Sequence, residues 1–248
     1  MCKRILLALL ALGLFAAPAL AAQKGYINGI DANYPPHAYV EAGQPTGFDV
    51  EALNWIAKKM NFEIKHVPMD WDTIVASLLA KKIDMVCSGM SITPERQARV
   101  NFSDPYFVVR KVLVVRDNSD LTRNQVLQGN KKVGVQRGTN EAETLENSKG
   151  PNGWNYTLTY YDSAPLAVED LINGRVDAAA MDSAPANDAI KRGKKPVRIV
   201  GEFADPDDFG VAIRKEDAEL LKMINEGFKL LTQDPFWQEL QEKYDSFQ

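Results

Sequence analysis

Hydrophobic and polar positions along the chain follow two alternating periods. A short apolar run at residues 83–87 is typical of a buried strand, and residues 25–30 are interpreted as another strand. Residues 50–60 repeat apolar side chains at helical spacing. The alternation returns in the second half, where a strand at 132–135 precedes a Glu-rich helix and a strand at 176–181 follows another helix. Strands alternating with helices predict an α/β fold with mostly parallel sheets flanked by helices.

A long β-rich segment at residues 107–115 has no helix after it, so we expect it to carry the chain from one lobe into another. A strand at 209–213 is expected to return to the first lobe, and two amphipathic helices finish the chain. Residues 79–86 resemble residues 172–179, because each segment joins a helix end, a basic turn and an Asp before a buried strand. The echo indicates two lobes of like architecture.

The first 22 residues have the pattern of an export signal. Lys3 and Arg4 precede an apolar run at 5–16 that is too short to span a bilayer, and small residues follow it. We expect cleavage after Ala21 or Ala22 and an exported, periplasmic protein.

The charge composition indicates which classes of partner the protein is expected to bind. Without Lys3 and Arg4, 27 basic residues face 33 acidic ones, a net charge of −6, which argues against nucleic acid or an anionic membrane as the partner. Cys2 leaves with the leader, so we expect Cys87 to be the single thiol, buried and inert. The mature length suffices for two lobes of about 100 residues each.

Residues 88–96, with the sequence Ser-Gly-Met-Ser-Ile-Thr-Pro-Glu-Arg, follow a predicted strand and start a helix. Thr93 is expected to be the N-cap, with Pro94 in the first helical position. Hydroxyls, exposed backbone and Arg96 at a strand end suit a carboxylate, since a guanidinium forms two parallel charge-assisted hydrogen bonds. The alternative is a capped helix that carries a solvated Arg96.

Other polar residues also fall at predicted strand ends, where parallel sheets bind ligands. Two prolines follow Tyr34, so the segment from Asp31 to Tyr34 is predicted to be a loop after the first strand. Trp71 lies between the next strand and its helix. These positions predict a site formed with residues 88–91.

Catalytic and metal-binding motifs are absent from the sequence. His37 and His66 have no second ligand at metal spacing, and there is no G-x-S-x-G elbow, Walker loop or G-x-G-x-x-G after a strand. Asp207 and Asp208 are interpreted as a solvated turn. We therefore expect a binding protein with no catalytic residue, metal or cofactor.

The chain resembles the periplasmic polar amino-acid-binding proteins of ABC importers, the family 3 solute-binding proteins, over essentially its whole mature length. The matching motifs, in order, are Asp-Ala-Asn-Tyr-Pro-Pro at 31–36, Gly-Phe-Asp-Val-Glu at 47–51, residues 88–96, Gly138-Thr139 and Met181-Asp182. The resemblance implies a two-lobe clamp with two hinge strands, one lobe formed by 23–109 plus 208–248 and the other by 110–207. It also implies a monomer that delivers an L-amino acid to a permease dimer in the membrane.

The resemblance assigns Arg96 to the ligand's α-carboxylate, with help from Ser91 and Thr139. It assigns Asp182, on the other lobe, to the α-ammonium. The alternatives are local: Thr139 caps the following helix, and Asp182 caps its own helix with no ligand.

Ser88 and the carbonyl of Gly89 would join Asp182 at the α-ammonium. Tyr34 and Trp71 would enclose the ligand's side chain, although Trp71 also suits a core position.

Asp31 would lie near the distal end of the ligand, unless it only caps a turn. It favours a cationic side chain (Arg, Lys or His) or the amide of Gln. His37 and Asn140 depart from the family pattern and leave the specificity open.

Two other functions fit the same scaffold. A cyclohexadienyl dehydratase, acting on prephenate or arogenate, needs a carboxyl group as general acid, for which Glu141 or Asp31 would serve. Retention of both Arg96 and Asp182 favours zwitterion binding instead. A sensory protein that presents its ligand to a membrane receptor would bind in the same way, so the sequence does not separate it from an importer subunit.

Overall fold

The computed structural model describes residues 24–244, so the predicted leader lies outside the described residues. The strands of this range are β1 (Gly25–Asp31), β2 (Asn33–Tyr34), β3 (Ala38–Glu41), β4 (Gln44–Thr46), β5 (Glu63–Met69), β6 (Met85–Val86), β7 (Asn101–Phe102), β8 (Phe107–Val109), β9 (Lys111–Arg116), β10 (Lys131–Gln136), β11 (Tyr156–Tyr161), β12 (Ala178–Asp182), β13 (Val197–Glu202), β14 (Asp207–Phe209) and β15 (Ala212–Ile213). The α-helices are α1 (Phe48–Lys59), α2 (Ile74–Leu79), α3 (Pro94–Arg99), α4 (Arg123–Gln128), α5 (Asn140–Ser148), α6 (Ala164–Ile172), α7 (Ser183–Lys191), α8 (Ala218–Leu231) and α9 (Pro235–Lys243).

Two five-stranded sheets define two lobes. The first sheet has the order β5-β1-β6-β15-β7, and the second has the order β11-β10-β12-β9-β13. In each sheet four strands run in one direction and one runs against them, β15 in the first lobe and β9 in the second. The α/β fold with mostly parallel sheets is therefore confirmed.

The internal echo in the sequence corresponds to equivalent strands of the two lobes. Asp84, before β6, accepts a hydrogen bond from the N–H of Ile27 at 2.9 Å, and its own N–H donates to that residue's carbonyl at 2.8 Å. Asp177, before β12, makes the same two bonds with Lys132, each at 2.8 Å. Both aspartates fix the start of a central parallel strand.

Each lobe buries its own hydrophobic core. In the first lobe α1 packs against α8 and α9 through Phe48, Ile56, Ile224, Phe228 and Leu240. The second lobe carries one cluster of buried aliphatic side chains around Leu145 and another around Leu171. The predicted helices at both ends of the chain are thus confirmed as core elements.

The two lobes are connected where β8 and β14 pair as an antiparallel two-stranded sheet. The predicted strand at 107–115 is divided here, because the chain leaves β8 at Val109 and enters the second sheet at Lys111. The interpretation of Asp207 and Asp208 as a solvated turn was wrong. Both lie in β14, and the Asp207 carboxylate is 2.6 Å from the buried ammonium of Lys111.

The predicted loop from Asp31 to Tyr34 was also wrong. Asp31 is the last residue of β1, and Tyr34 lies in β2, which pairs with β3 and β4 in a small antiparallel sheet. The prolines that suggested a loop lie between β2 and β3, joined by a cis peptide bond. Proline removes a donor only from the connection, so the flanking short strands still pair.

Candidate ligand-binding site

One cavity lies between the lobes, next to the connecting strands. All nine predicted ligand-binding residues line it, together with six others. The lining residues are Asp31, Tyr34, Trp71, Ser88, Gly89, Ser91, Arg96, Gln136, Thr139, Asn140, Glu141, Ala164, Ala180, Met181 and Asp182.

Arg96 reaches the cavity from the third residue of the short helix α3. Thr93 caps α3 as predicted, since its side chain accepts from the N–H of Arg96 at 3.2 Å. The guanidinium donates to the carbonyl of Ser91 at 3.0 Å and to that of Gly138, in the second lobe, at 3.4 Å. Its central carbon lies 5.7 Å from the centre of the Trp71 ring. Burial lowers the pKa of Arg96, while Glu141 and other nearby carboxylates raise it.

The turn after β6 places Ser88 and Gly89 in the cavity wall of the first lobe. The Ser88 hydroxyl accepts from the N–H of Asp31 at 3.0 Å. The N–H of Gly89 donates to Asp49 at 2.6 Å. Gly89 has a positive φ of 59°, and a Cβ there would lie 2.3 Å from the Tyr34 ring. Glycine is therefore required here both by the backbone conformation and by the packing of Tyr34.

Asp31 is held between the lobes. One carboxylate oxygen accepts from the N–H of Asn33 at 2.8 Å, which is the turn-capping role left open above. The other accepts from the Gln136 side chain of the second lobe at 2.7 Å. Burial raises the pKa of Asp31, although both hydrogen bonds act in the opposite direction.

Trp71 and Thr139 each combine a local role with a place in the cavity wall. Trp71 belongs to a buried cluster of the first lobe, and its indole N–H donates to the carbonyl of Gly138 at 3.1 Å. Thr139 caps α5, because its hydroxyl accepts from the N–H of Ala142 at 3.3 Å and donates to the carbonyl of Gln136 at 2.8 Å. Thr139 thus makes the capping bond, and its assignment to the ligand's α-carboxylate stays a prediction.

Asp182 ends β12 and precedes α7 but makes no side-chain capping bond to that helix. One of its oxygens accepts from the Tyr34 hydroxyl, which joins the lobes, and the other is buried without a hydrogen-bond partner. Glu141, in the first turn of α5, is 4% exposed and also has a buried oxygen without a partner. Burial, followed by the charge of Glu141, raises the pKa of Asp182 well above the usual range of a carboxyl group.

Sequence reasoning did not assign ligand-binding roles to Gln136, Asn140 or Glu141. All three lie at or just beyond the carboxyl end of β10, the position that predicted the other site residues. Asn140 donates to Asp207 in the connecting strand β14. Their position beyond a strand end could have predicted them, whereas the Gly-Thr motif predicted only Thr139.

Between residues 24 and 244, no group of three or more His, Cys, Asp or Glu side chains has the arrangement of a metal site. No helix within that range has the length and apolar character needed to cross a membrane. Cys87 is buried, and burial raises the pKa of its thiol well above the ordinary value, which agrees with an inert side chain.

Two α/β lobes enclose one cavity, which Arg96 lines from the first lobe and Asp182 from the second, and this arrangement is typical of proteins that bind a small molecule. The model of the bacterial extracellular solute-binding proteins, family 3, matches residues 26–247. This protein belongs to that family, as its sequence motifs indicated.

Relatives support the assignment over nearly the whole chain. The L-cystine-binding protein TcyJ of Escherichia coli strain K12 is 34% identical over 219 residues, which cover 87% of this chain and 80% of the relative. The L-arginine-binding protein of Pseudomonas aeruginosa is 32% identical over 253 residues, which cover 99% of this chain and 97% of the relative.

Solved structures agree with the relatives. An ancestral arginine-binding protein bound to arginine has a TM-score of 0.82 and 34% identity, and the match covers 90% of this chain and 98% of that one. The ancestral amino acid-binding protein AncCDT-1, described as a precursor of cyclohexadienyl dehydratase, has a TM-score of 0.81 and 32% identity over 90% of this chain and 96% of that one.

Proposed function

We propose that this protein captures a polar or cationic L-amino acid between its lobes and delivers it to a membrane permease. The observation that carries the proposal is the pair of opposite charges on opposite walls of one cavity, Arg96 from the first lobe and Asp182 from the second. A zwitterion that leaves water needs a partner for each of its charges. Arg96 binds the α-carboxylate and Asp182 accepts from the α-ammonium.

The remaining charges in the cavity favour a cationic side chain. Asp31, Glu141 and Asp182 supply three carboxyl groups, whereas Arg96 is the single cation among the lining residues. After the two ends of a zwitterion are paired, the excess is negative. A cationic side chain that reaches Asp31 reduces this excess, and the arginine-binding relative and ancestral structure bind a ligand of that kind.

The two connecting strands support a division of the chain into two moving units. We infer that residues 23–109 and 208–248 move as one unit and residues 110–207 as the other. Ligand bridges the units and favours the closed arrangement by its higher affinity for it. The chain acts as an exported monomer, cleaved after Ala21 or Ala22, and docks in the closed form onto a permease dimer of an ABC importer.

A thermal-shift panel tests the proposal. Purified mature protein is heated with L-arginine, L-lysine, L-histidine, L-glutamine and L-cystine, with D-arginine as the control for recognition of the α-carbon. A ligand present at about 100 times its Kd adds roughly 2.7 kcal/mol to the free energy of unfolding. The proposal is wrong if no L-amino acid raises the Tm.

One observation favours a second candidate function, that of a cyclohexadienyl dehydratase. Glu141 is a buried carboxyl group that lines the cavity with an unpartnered oxygen, as a general acid for elimination of a hydroxyl would require. Prephenate is the direct test, because the enzyme would release water and carbon dioxide and form phenylpyruvate. Turnover by the wild-type protein that Glu141→Gln abolishes would establish the enzyme, whereas amino-acid binding without turnover supports the transport function.

A further inference from the structure

Two carboxyl groups of the second lobe face each other inside the cavity. Glu141 and Asp182 are 4% and 5% exposed, and each has a buried oxygen without a hydrogen-bond partner. The two groups are close enough to hydrogen-bond each other. A carboxylate oxygen can only accept, so two ionised groups cannot satisfy each other in this position.

The groups around the pair leave it without a bonded cation. Tyr34 donates to Asp182 from the first lobe. Arg96 contributes its charge from α3, but its guanidinium donates to backbone carbonyls. Asp207, on β14, adds a further negative charge, which its contact with Lys111 offsets.

Such a pair has two ways to become satisfied. One carboxyl group holds a proton and donates it to the other, or a donor with several N–H groups enters between them. A primary ammonium is that second donor, since it has three N–H groups and a positive charge. The raised pKa of Asp182 agrees with the first arrangement in the absence of ligand.

We propose that Glu141 is a second acceptor for the ligand's ammonium group and that the Glu141–Asp182 pair exchanges one shared proton for it. On binding, the shared proton passes to solvent, and both carboxylates accept N–H hydrogen bonds from the ammonium. This inference rests on the proposed function. Release of the shared proton makes the affinity for the ligand rise with pH until the pair is already ionised in the free protein.

Isothermal titration calorimetry with L-arginine and L-glutamine tests the exchange. Titrations in buffers of different ionisation enthalpy, from about pH 5.5 to about pH 8, count the protons released per ligand. We expect close to one proton at the lower end of this range and a Kd that falls by up to about tenfold per pH unit. L-Glutamine is included because it has no cationic side chain, so protons released by Asp31 do not enter its count.

Glu141→Gln removes the shared proton but keeps a side chain of the same shape. We expect it to bind L-glutamine with nearly no proton release and with a Kd that does not change over this pH range. Glu146→Gln, the same substitution at an exposed position of α5, serves as the control and should match the wild type. Absence of proton release in the wild type, or equal release in Glu141→Gln, would overturn the inference.

A measurement without ligand separates this inference from the proposed function. A carboxyl group with a raised pKa binds more protons in the native state than in the unfolded state, so its contribution to stability is lost as pH rises. The Tm of the wild type should therefore fall, relative to that of Glu141→Gln, between about pH 5 and about pH 8. Parallel Tm profiles would contradict the shared proton even if no amino acid bound, and Asp182→Asn provides the same comparison if Glu141→Gln does not fold.

Discussion

The two walls of the cavity treat their polar groups differently. On the first-lobe wall the groups are already bonded within the protein: Arg96 donates to backbone carbonyls, and the N–H of Gly89 donates to Asp49. On the second-lobe wall Asp182 and Glu141 each keep a buried oxygen without a partner. The first wall is therefore ordered before ligand arrives, whereas the second wall gains partners from it.

The two walls therefore contribute to different free energies, the first to binding and the second to the stability of the ligand-free protein. An ordered donor on the first wall loses little entropy when it binds, so it contributes mainly to affinity. An unsatisfied carboxyl group on the second wall destabilises the ligand-free closed form and regains that energy on binding. Substitutions on the two walls should therefore be distinguished by their effect on the ligand-free protein.

Arg96→Ala should have the largest effect on binding. The ligand's carboxylate would stay buried without its charged partner, which costs about 2–5 kcal/mol, or roughly 30-fold to several thousand-fold in Kd. The ligand-induced rise in Tm should disappear for every amino acid. Arg99→Ala, at an exposed position of the same helix, is the control and should keep the rise.

Asp182→Asn should weaken binding by about 1.5–3 kcal/mol, roughly tenfold to 150-fold, because a hydrogen bond to a charged group is lost. Unlike Arg96→Ala, it should raise the Tm of the ligand-free protein near neutral pH. The amide can donate to Glu141 and relieve the unsatisfied pair. Asp177→Asn, at the start of the same strand, should leave binding unchanged, and a ligand-free Tm lowered by Asp182→Asn would contradict the comparison.

Stability should depend on pH in the opposite direction at a histidine of the first lobe: it should fall as the pH falls, whereas the Glu141–Asp182 pair makes it fall as the pH rises. Burial lowers the pKa of His66 to about 4. The unfolded state then binds more protons between about pH 6.5 and about pH 4, so this group makes stability fall as pH falls through that window. In urea unfolding, His66→Gln should reduce the loss by roughly 1 kcal/mol, a value discounted because the side chain is half-buried. If His66→Gln loses as much unfolding free energy as the wild type when the pH falls, His66 is not the cause of the loss.

Asp31→Asn should change selectivity more than overall affinity. The neutral amide has one acceptor oxygen, so it can keep the hydrogen bond from Gln136 but loses the one from the N–H of Asn33, and it no longer attracts a cationic side chain. We expect the Kd for L-arginine to rise about tenfold, against less than about threefold for L-glutamine. Titration of both amino acids measures the ratio, and equal losses for both would show that Asp31 does not contact the distal end of the ligand.

Periodicity and strand-end reasoning predicted most of the fold. The α/β class, the terminal helices and the repeated unit before β6 and β12 could be predicted because apolar spacing and turn residues act locally. The small sheet of β2, β3 and β4 was missed, since short strands that pair across tight turns leave little periodic signal. The role of Asp207 was missed because its partner, Lys111, is distant in sequence.

Part of the candidate site could also be predicted from local patterns. Its nine residues meet in one cavity because strand ends gather at one edge of each sheet. Gln136 and Glu141 lie in the same region, but their contacts cross the cleft or join two segments of the second lobe. Such contacts depend on how the lobes close, and the pattern along one segment carries no information about that closure.

Gly138 lies where the second lobe meets the first, since its carbonyl accepts from Trp71 and Arg96. Its backbone has a positive φ of 74°, and a Cβ there would lie 2.9 Å from the Cα of Asp72. A methyl group at this position would clash with Asp72 and keep the two lobes apart by a fraction of an ångström. The absence of a side chain at this residue therefore lets the closed lobes approach each other at this contact.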